Sequence, residues 1–125
     1  MIKLPDSKKS FEYENNFYLS SELSRIHKII IHYQLYEKIK HLNGSIIECG
    51  VFKGISSIRF AAFRDFFNNS SNKLILFDIF GKFPEADYSK DIKNRNNFIK
   101  DAGLDGISKN QLNRILKNKK IKNFE

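Results

Sequence analysis

Residues 46–54 read Ile-Ile-Glu-Cys-Gly-Val-Phe-Lys-Gly, and the rest of the chain is arranged around them. The apolar start of this stretch, residues 45–49, is typical of a buried strand. Gly50 and Gly54 then bracket a turn, and apolar residues at helical spacing follow to about Phe67. A strand, a glycine turn and a helix in this order allow the backbone to approach a ligand closely at the carboxyl end of a parallel strand.

A second strand of the same kind follows at residues 74–78, Leu-Ile-Leu-Phe-Asp. Two apolar strands joined by one helix predict a βαβ unit, and continuous apolar runs predict strands that are buried on both faces. Asp78 lies 24 residues beyond Gly54. Nucleotide-binding βαβ units carry a ribose-binding carboxylate at about this distance from the glycine turn.

The glycine pattern itself points to one class of cofactor. Dinucleotide sites use G-x-G-x-x-G, whereas this chain has Glu48 in the place of the first glycine and then Gly50 and Gly54. A carboxylate beside the loop repels a pyrophosphate and attracts a cofactor with a cationic, zwitterionic end. The pattern therefore favours S-adenosylmethionine over NAD.

The N-terminal segment gives weaker signals. We expect an irregular arm over residues 1–19, rich in aromatic residues that pack elsewhere. Ser20 or Ser21 is expected to cap a helix that ends at Asn43-Gly44. Residues 20–125 would then form one partial cofactor-binding domain.

The C-terminal part predicts two further helices. One covers about residues 90–102, is capped by Ser89 and is closed by Gly103. The other begins after Ser108, which has the spacing of a capping box with Gln111. Phe124 stands where a third strand would begin.

Composition excludes several classes of protein. The chain has 125 residues, 41% of them hydrophobic, so it forms at most one domain. Its single cysteine, Cys49, makes no internal disulfide and is expected to be a small buried residue in a cytoplasmic protein. No signal peptide or membrane span is expected.

The net charge of +8 is concentrated in residues 109–125, which carry six basic residues and one acid. We interpret this segment as a solvated helix face and consider nucleic-acid binding unlikely, because no aromatic residues are interleaved with the basic ones. His27, His32 and His41 lack the four-residue spacing of a helical metal pair, so no metal ligands are expected in this chain.

The stretch from Ser45 to Pro84 resembles the macrocin O-methyltransferase family. The shared motifs are residues 48–54 and Asp78-x-Phe80-x-x-Phe83-Pro84, and the similarity extends over nearly all of the chain. The family's enzymes are class I S-adenosylmethionine-dependent methyltransferases that modify sugar hydroxyls, including dTDP-6-deoxyhexoses. The resemblance implies an α/β fold that is the N-terminal half of a Rossmann-like class I methyltransferase, with an incomplete parallel sheet and flanking helices.

The resemblance also implies roles for individual residues. The S-adenosylmethionine site would be formed by two loops and a helix start: Glu48, Gly50, Val51, Phe52, Gly54, Ser56, Ser57, Asp78 and Phe80. Asp78 would take the ribose hydroxyls, and Phe80 would lie against the adenosine. The family's magnesium ligands and catalytic groups belong to later strands and are not expected here, so the isolated chain is expected to be inactive unless a C-terminal half is supplied in trans.

Other interpretations of the same residues stay open. Glu48 and Asp78 could cap helices, the two glycines could serve tight turns without a ligand, and Phe80 could be plain core. The alternative to an enzyme half is a non-catalytic cofactor-binding or dimerisation module. The acceptor sugar and the oligomeric state do not follow from the sequence.

Overall fold

The computed structural model describes residues 2–125 as a mixed α/β protein, as the sequence predicts. Within these residues there are five α-helices and two strands. In chain order they are α1 (Ser10–Ser20), α2 (Leu23–Ile39), β1 (Ile46–Cys49), α3 (Ile55–Phe66), β2 (Leu74–Phe77), α4 (Ser89–Ala102) and α5 (Lys109–Asn118).

The two strands form the parallel sheet of the predicted βαβ unit. Ile46 lies opposite Leu74, and Cys49 lies opposite Phe77. The last residues of the chain add to β2 on its other side: Leu74 donates its N–H to Asn123 O at 2.9 Å, and Glu125 donates to Leu74 O at 2.9 Å. The segment around Phe124 therefore lies parallel to β2 and joins it through an isolated bridge between Leu74 and Phe124.

Only one face of the sheet is covered in the described residues. Leu74 and Leu76 belong to the buried core with Ala61 of α3 and Leu112 and Leu116 of α5. Residues along a strand alternate between the two faces, so the intervening residues lie on the opposite face.

That opposite face is open. Ile47 is 61% exposed, Phe77 is 57% exposed, and Cys49 carries an exposed free thiol. The predictions of strands buried on both faces and of a buried Cys49 are therefore wrong. The physical reason is that α3 and α5 pack on the same side of the sheet.

Helix α3 is covered on two sides, as its two apolar stripes predict. One side packs on the sheet through Ile58 and Ala61. The other side meets α2, where the rings of Tyr36 and Phe67 are stacked with centroids 5.8 Å apart. Helix α2 thus forms an outer layer over α3.

Arg64, on the last turn of α3, is buried beneath the end of the chain. Its guanidinium donates to Asn72 O at 2.7 Å, to Asn123 O at 2.8 Å and to Lys122 O, and it is 1% exposed. These carbonyls belong to the loop before β2 and to the tail. Arg64 therefore fastens both segments to α3.

Two predictions for the N-terminal segment are wrong. Residues 10–20 form helix α1 and not an irregular arm, because they continue a 3-10 turn that Asp6 caps through Lys8 N. Ser20 and Ser21 do not cap α2. Ser21 instead ends α1, since its N–H donates to Phe17 O at 2.9 Å.

The two C-terminal helices are confirmed, but the capping role of Ser89 is wrong: Ser89 is the first residue of α4, and Tyr88 holds the N-cap position without a side-chain hydrogen bond. Helix α4 ends at Gly103, whose N–H donates to Ile99 O at 2.8 Å. Ser108 and Gln111 form the capping box at the start of α5: Gln111 N donates to Ser108 Oγ at 3.2 Å, and Ser108 N donates to Gln111 Oε1 at 3.1 Å.

Candidate functional site

Two loops meet at the carboxyl ends of the strands, and Asp78 joins them. Its Oδ2 accepts the N–H of Phe52 at 2.8 Å, and its Oδ1 accepts the N–H of Phe80 at 2.9 Å. Phe52 and Phe80 both have positive φ, at 51° and 52°. The carboxylate thus stabilises two unusual loop conformations. Because a carboxylate has about four acceptor positions, Asp78 keeps capacity for two more hydrogen bonds.

The carboxylate of Glu48 binds the start of helix α3. Each of its carboxylate oxygens accepts a hydrogen bond from a hydroxyl group in the first turn of α3, one from Ser56 and one from Ser57. Ser57 is fully buried, so this contact fixes the start of α3 against the end of β1. Glu48 also places a negative charge beside the loop.

His32 of α2 lies within the electrostatic reach of Glu48. Its Nδ1 is 3.2 Å from Arg59 Nη1, and its ring is stacked on Phe60 with centroids 5.1 Å apart. Burial between the two helices lowers the pKa of His32, and the Arg59 charge lowers it further, while Glu48 acts in the opposite direction. The neutral imidazole is therefore favoured at this contact.

The two glycines of the turn have different roles. Gly50 has φ +90°, and no atom lies within 4 Å of the position that a Cβ would take, so its open side is free for a ligand. Gly54 has φ +76°, and a Cβ there would lie 2.8 Å from Leu112 Cδ1. Gly54 therefore allows the loop to pack tightly on α5.

A third segment, residues 102–107, crosses both loops, and we call it the strap. Gly106 N donates to Gly81 O at 2.8 Å, and Ile107 N donates to Phe52 O at 2.6 Å. Lys53 Nζ donates to Ala102 O at the other end of the strap. A Cβ on Gly106 would lie 2.8 Å from Gly81 O and 2.9 Å from Phe52 O. Only glycine allows this approach.

A cavity of about 440 Å³ opens where the two loops face α4. Its lining is mostly apolar, with Asp78 and Lys82 as the charged side chains: Gly50, Phe52, Asp78, Ile79, Gly81, Lys82, Phe83, Pro84 and Phe98. Phe52, Phe83 and Phe98 are mutually packed, with ring centroids 5.1 to 6.3 Å apart. The cavity thus combines an aromatic wall with one carboxylate that retains free acceptor positions.

Three of the predicted site residues line this cavity: Gly50, Phe52 and Asp78. The others lie beside it. Val51 and Phe80 pack in or against the core, Gly54 faces α5, and Ser56 and Ser57 hydrogen-bond Glu48. These six residues therefore shape the loops from behind.

Phe98 and Lys82 are cavity residues that the sequence did not indicate. Phe98 is 46 residues from Phe52 along the chain, and only the seating of α4 brings the two rings together. The strap was missed for the same reason. The available signal was a second glycine, Gly106, only three residues after the glycine that closes α4.

Comparisons of this chain with protein-family models, with curated proteins and with solved structures found no match. Among residues 2–125, no helix has both the length and the apolar character needed to cross a membrane. The same residues contain no group of three or more His, Cys, Asp or Glu side chains placed to hold a metal ion. An assignment of function therefore depends on the residues of the site and on the motif resemblance described above.

Proposed function

We propose that this chain is the S-adenosylmethionine-binding half of a nucleotide-sugar O-methyltransferase. The observation that carries the proposal is Asp78, which fixes the loop after β1 and keeps free acceptor positions at the cavity. The resemblance of residues 48–54 and 78–84 to motifs of the macrocin O-methyltransferase family supports the choice of cofactor and of acceptor.

The residues at the cavity fit the chemical groups of the cofactor. Asp78 would accept from the two ribose hydroxyls, and the open side of Gly50 would allow close approach of the methionine portion. The aromatic wall of Phe52, Phe83 and Phe98 would take the adenine ring by stacking. The negative charge of Glu48 favours a cofactor with a sulfonium, and a volume of about 440 Å³ is typical of small-molecule sites.

When bound, the cofactor supplies an electrophilic methyl group for displacement by an acceptor hydroxyl. The described residues would bind and orient the cofactor, and we assign no catalytic residue among them. The carboxylate at the cavity, Asp78, is held by two backbone amides and is assigned to the ribose hydroxyls, so we do not assign it as a general base for the acceptor.

Cofactor binding is tested by titration calorimetry with S-adenosylmethionine. We expect Asp78→Ala to raise the Kd about 10- to 100-fold, because it removes charge-assisted hydrogen bonds. Asp87→Ala, at an exposed acid away from the cavity, is the matched control. Thermal unfolding of both variants separates loss of binding from loss of the loop contacts. No binding by the wild-type chain at roughly millimolar cofactor, or an unchanged Kd in Asp78→Ala, would contradict the proposal.

The acceptor class is tested with radiolabelled S-adenosylmethionine and dTDP-6-deoxyhexoses. We expect no methyl transfer by the isolated chain, and transfer when the C-terminal half of a macrocin-type enzyme is added. The Asp78→Ala chain in the same mixture is the control that links any transfer to this site. Transfer by the isolated chain would show that it carries its own catalytic group.

A further inference from the structure

Helix α2 has a second apolar face, which lies beside the face that packs on α3. Ile31, Leu35 and Ile39 follow each other at four-residue intervals and therefore lie on one side of the helix. They are between 45% and 53% exposed, and we call them the α2 stripe. The adjacent side of α2, with Tyr36, is the one that packs on α3.

Helix α1 also exposes an apolar face, and it contains no buried residue. Phe11 and Tyr18 are seven residues apart, so they lie on the same side, and they are 74% and 54% exposed. A helix of 11 residues is only marginally stable in water without a packing partner. The exposed aromatic face of α1 therefore needs a surface to pack on.

The two faces carry opposite charge. Helix α1 contains two glutamates and no basic residue, a formal charge of −2; Glu12 forms an ion pair at 3.3 Å with Lys9 just before the helix, which leaves Glu14 as the acid beside the aromatic face. Helix α2 contains three basic residues and one acid, which gives +2. Glu14 stands between Phe11 and Tyr18, and Lys28 and Lys38 stand three residues from Ile31 and Leu35, so the charges lie beside the apolar residues.

The two faces do not cover each other within one chain, since both are exposed. We propose that α1 of one chain packs on the α2 stripe of a second copy, and that the second copy returns the same contact. Such a reciprocal exchange is a closed two-fold interface, in which each copy supplies one aromatic, acidic helix and one aliphatic, basic stripe. This inference does not depend on cofactor binding.

The test measures association by sedimentation equilibrium. We expect the wild-type chain to dimerise. Leu35→Glu is expected to weaken the dimer by at least about 100-fold, because it places a charge in the centre of the α2 stripe. Phe77→Glu, at the open face of the sheet, is the matched control and is expected to leave the dimer unchanged. Far-UV circular dichroism verifies that both variants stay folded.

A charge reversal tests which surfaces meet. One chain carries Glu14→Lys, and the other carries Lys28→Glu with Lys38→Glu. Each alone places like charges at both contacts, so we expect each to dimerise at least about 10-fold more weakly than the wild type. A mixture of the two restores opposite charges at both contacts, so we expect a heterodimer of about wild-type affinity. This recovery is specific for the exchange of α1 onto α2.

Three results would overturn the proposal. The first is a wild-type chain that stays monomeric up to roughly millimolar concentration. The second is a dimer that resists Leu35→Glu but is lost in Phe77→Glu, which would place the interface on the open face of the sheet. The third is a charge-reversed pair that associates no better when mixed than each chain does alone.

Discussion

The two faces of the sheet are equally apolar in sequence and differ completely in environment. Leu74 on the covered face is fully buried, whereas Phe77, three residues later on the other face, is 57% exposed. The difference arises because α3 and α5 both pack on the first face. An apolar strand thus predicts that a face of the sheet is buried. The connections between the elements decide which face the helices pack on.

The largest effect is expected from the covered face. Leu74→Ala should lower the free energy of unfolding by about 2–5 kcal/mol, because it leaves a cavity beneath α3 and α5. Ile47→Ala, on the open face, should change it by less than about 0.5 kcal/mol. Urea unfolding of the two variants measures the contrast. Equal losses would break the comparison, since they would mean that the open face is covered in solution.

The next largest effect is expected at the strap. Gly106→Ala should cost about 1–3 kcal/mol, because its Cβ would lie less than 3 Å from two carbonyl oxygens of the adjoining loops. Gly81→Ala is the matched control, since a Cβ there has no neighbour closer than 4.0 Å. If both variants unfold at the same denaturant concentration, the strap is not held as closely as the structure indicates. This measurement tests whether the loops at the site are packed as closely as the core on the covered face of the sheet.

The smallest effect is expected for His32 of α2, the outer helix on the covered side, and it concerns how stability depends on pH. The pKa of His32 lies below its ordinary value of 6.5, through burial and then through Arg59, so the unfolded chain binds more protons just below pH 6.5. The free energy of unfolding should therefore fall as the pH is lowered through about 6.5. His32→Gln removes this proton uptake, and its stability should depend less on pH in that range. Thermal unfolding between pH 7.5 and 5 makes the comparison, and identical slopes would contradict it.

Local patterns predicted the elements around the site correctly. The strand, glycine turn and helix from Ile46 onwards, the strand that ends before Asp78 and the capping box at Ser108 all depend on residues close together in the chain. Helix α1 was missed because residues 10–20 mix aromatic and polar residues without a clear apolar period.

Long-range contacts account for the rest. Gly106 approaches Gly81 and Phe52, which lie 25 and 54 residues earlier, and no local pattern indicates that contact. Arg64 is a charged residue on an apolar helix. Its burial is explained only by the backbone carbonyl groups, from other segments of the chain, that accept its hydrogen bonds. At the candidate site, Gly50, Phe52 and Asp78 were predictable from their strand ends, whereas Phe98 was not.

The carbonyl acceptors of Arg64 also set an order of events during synthesis. Two of them, on Lys122 and Asn123, follow Arg64 by 58 and 59 residues. Without them the guanidinium keeps only Asn72 O as an acceptor, and burying its other N–H groups is costly, so we expect α3 to close fully over β2 only after these residues have left the ribosome. We expect shorter nascent chains to keep the Leu74 region open to chaperones and proteases.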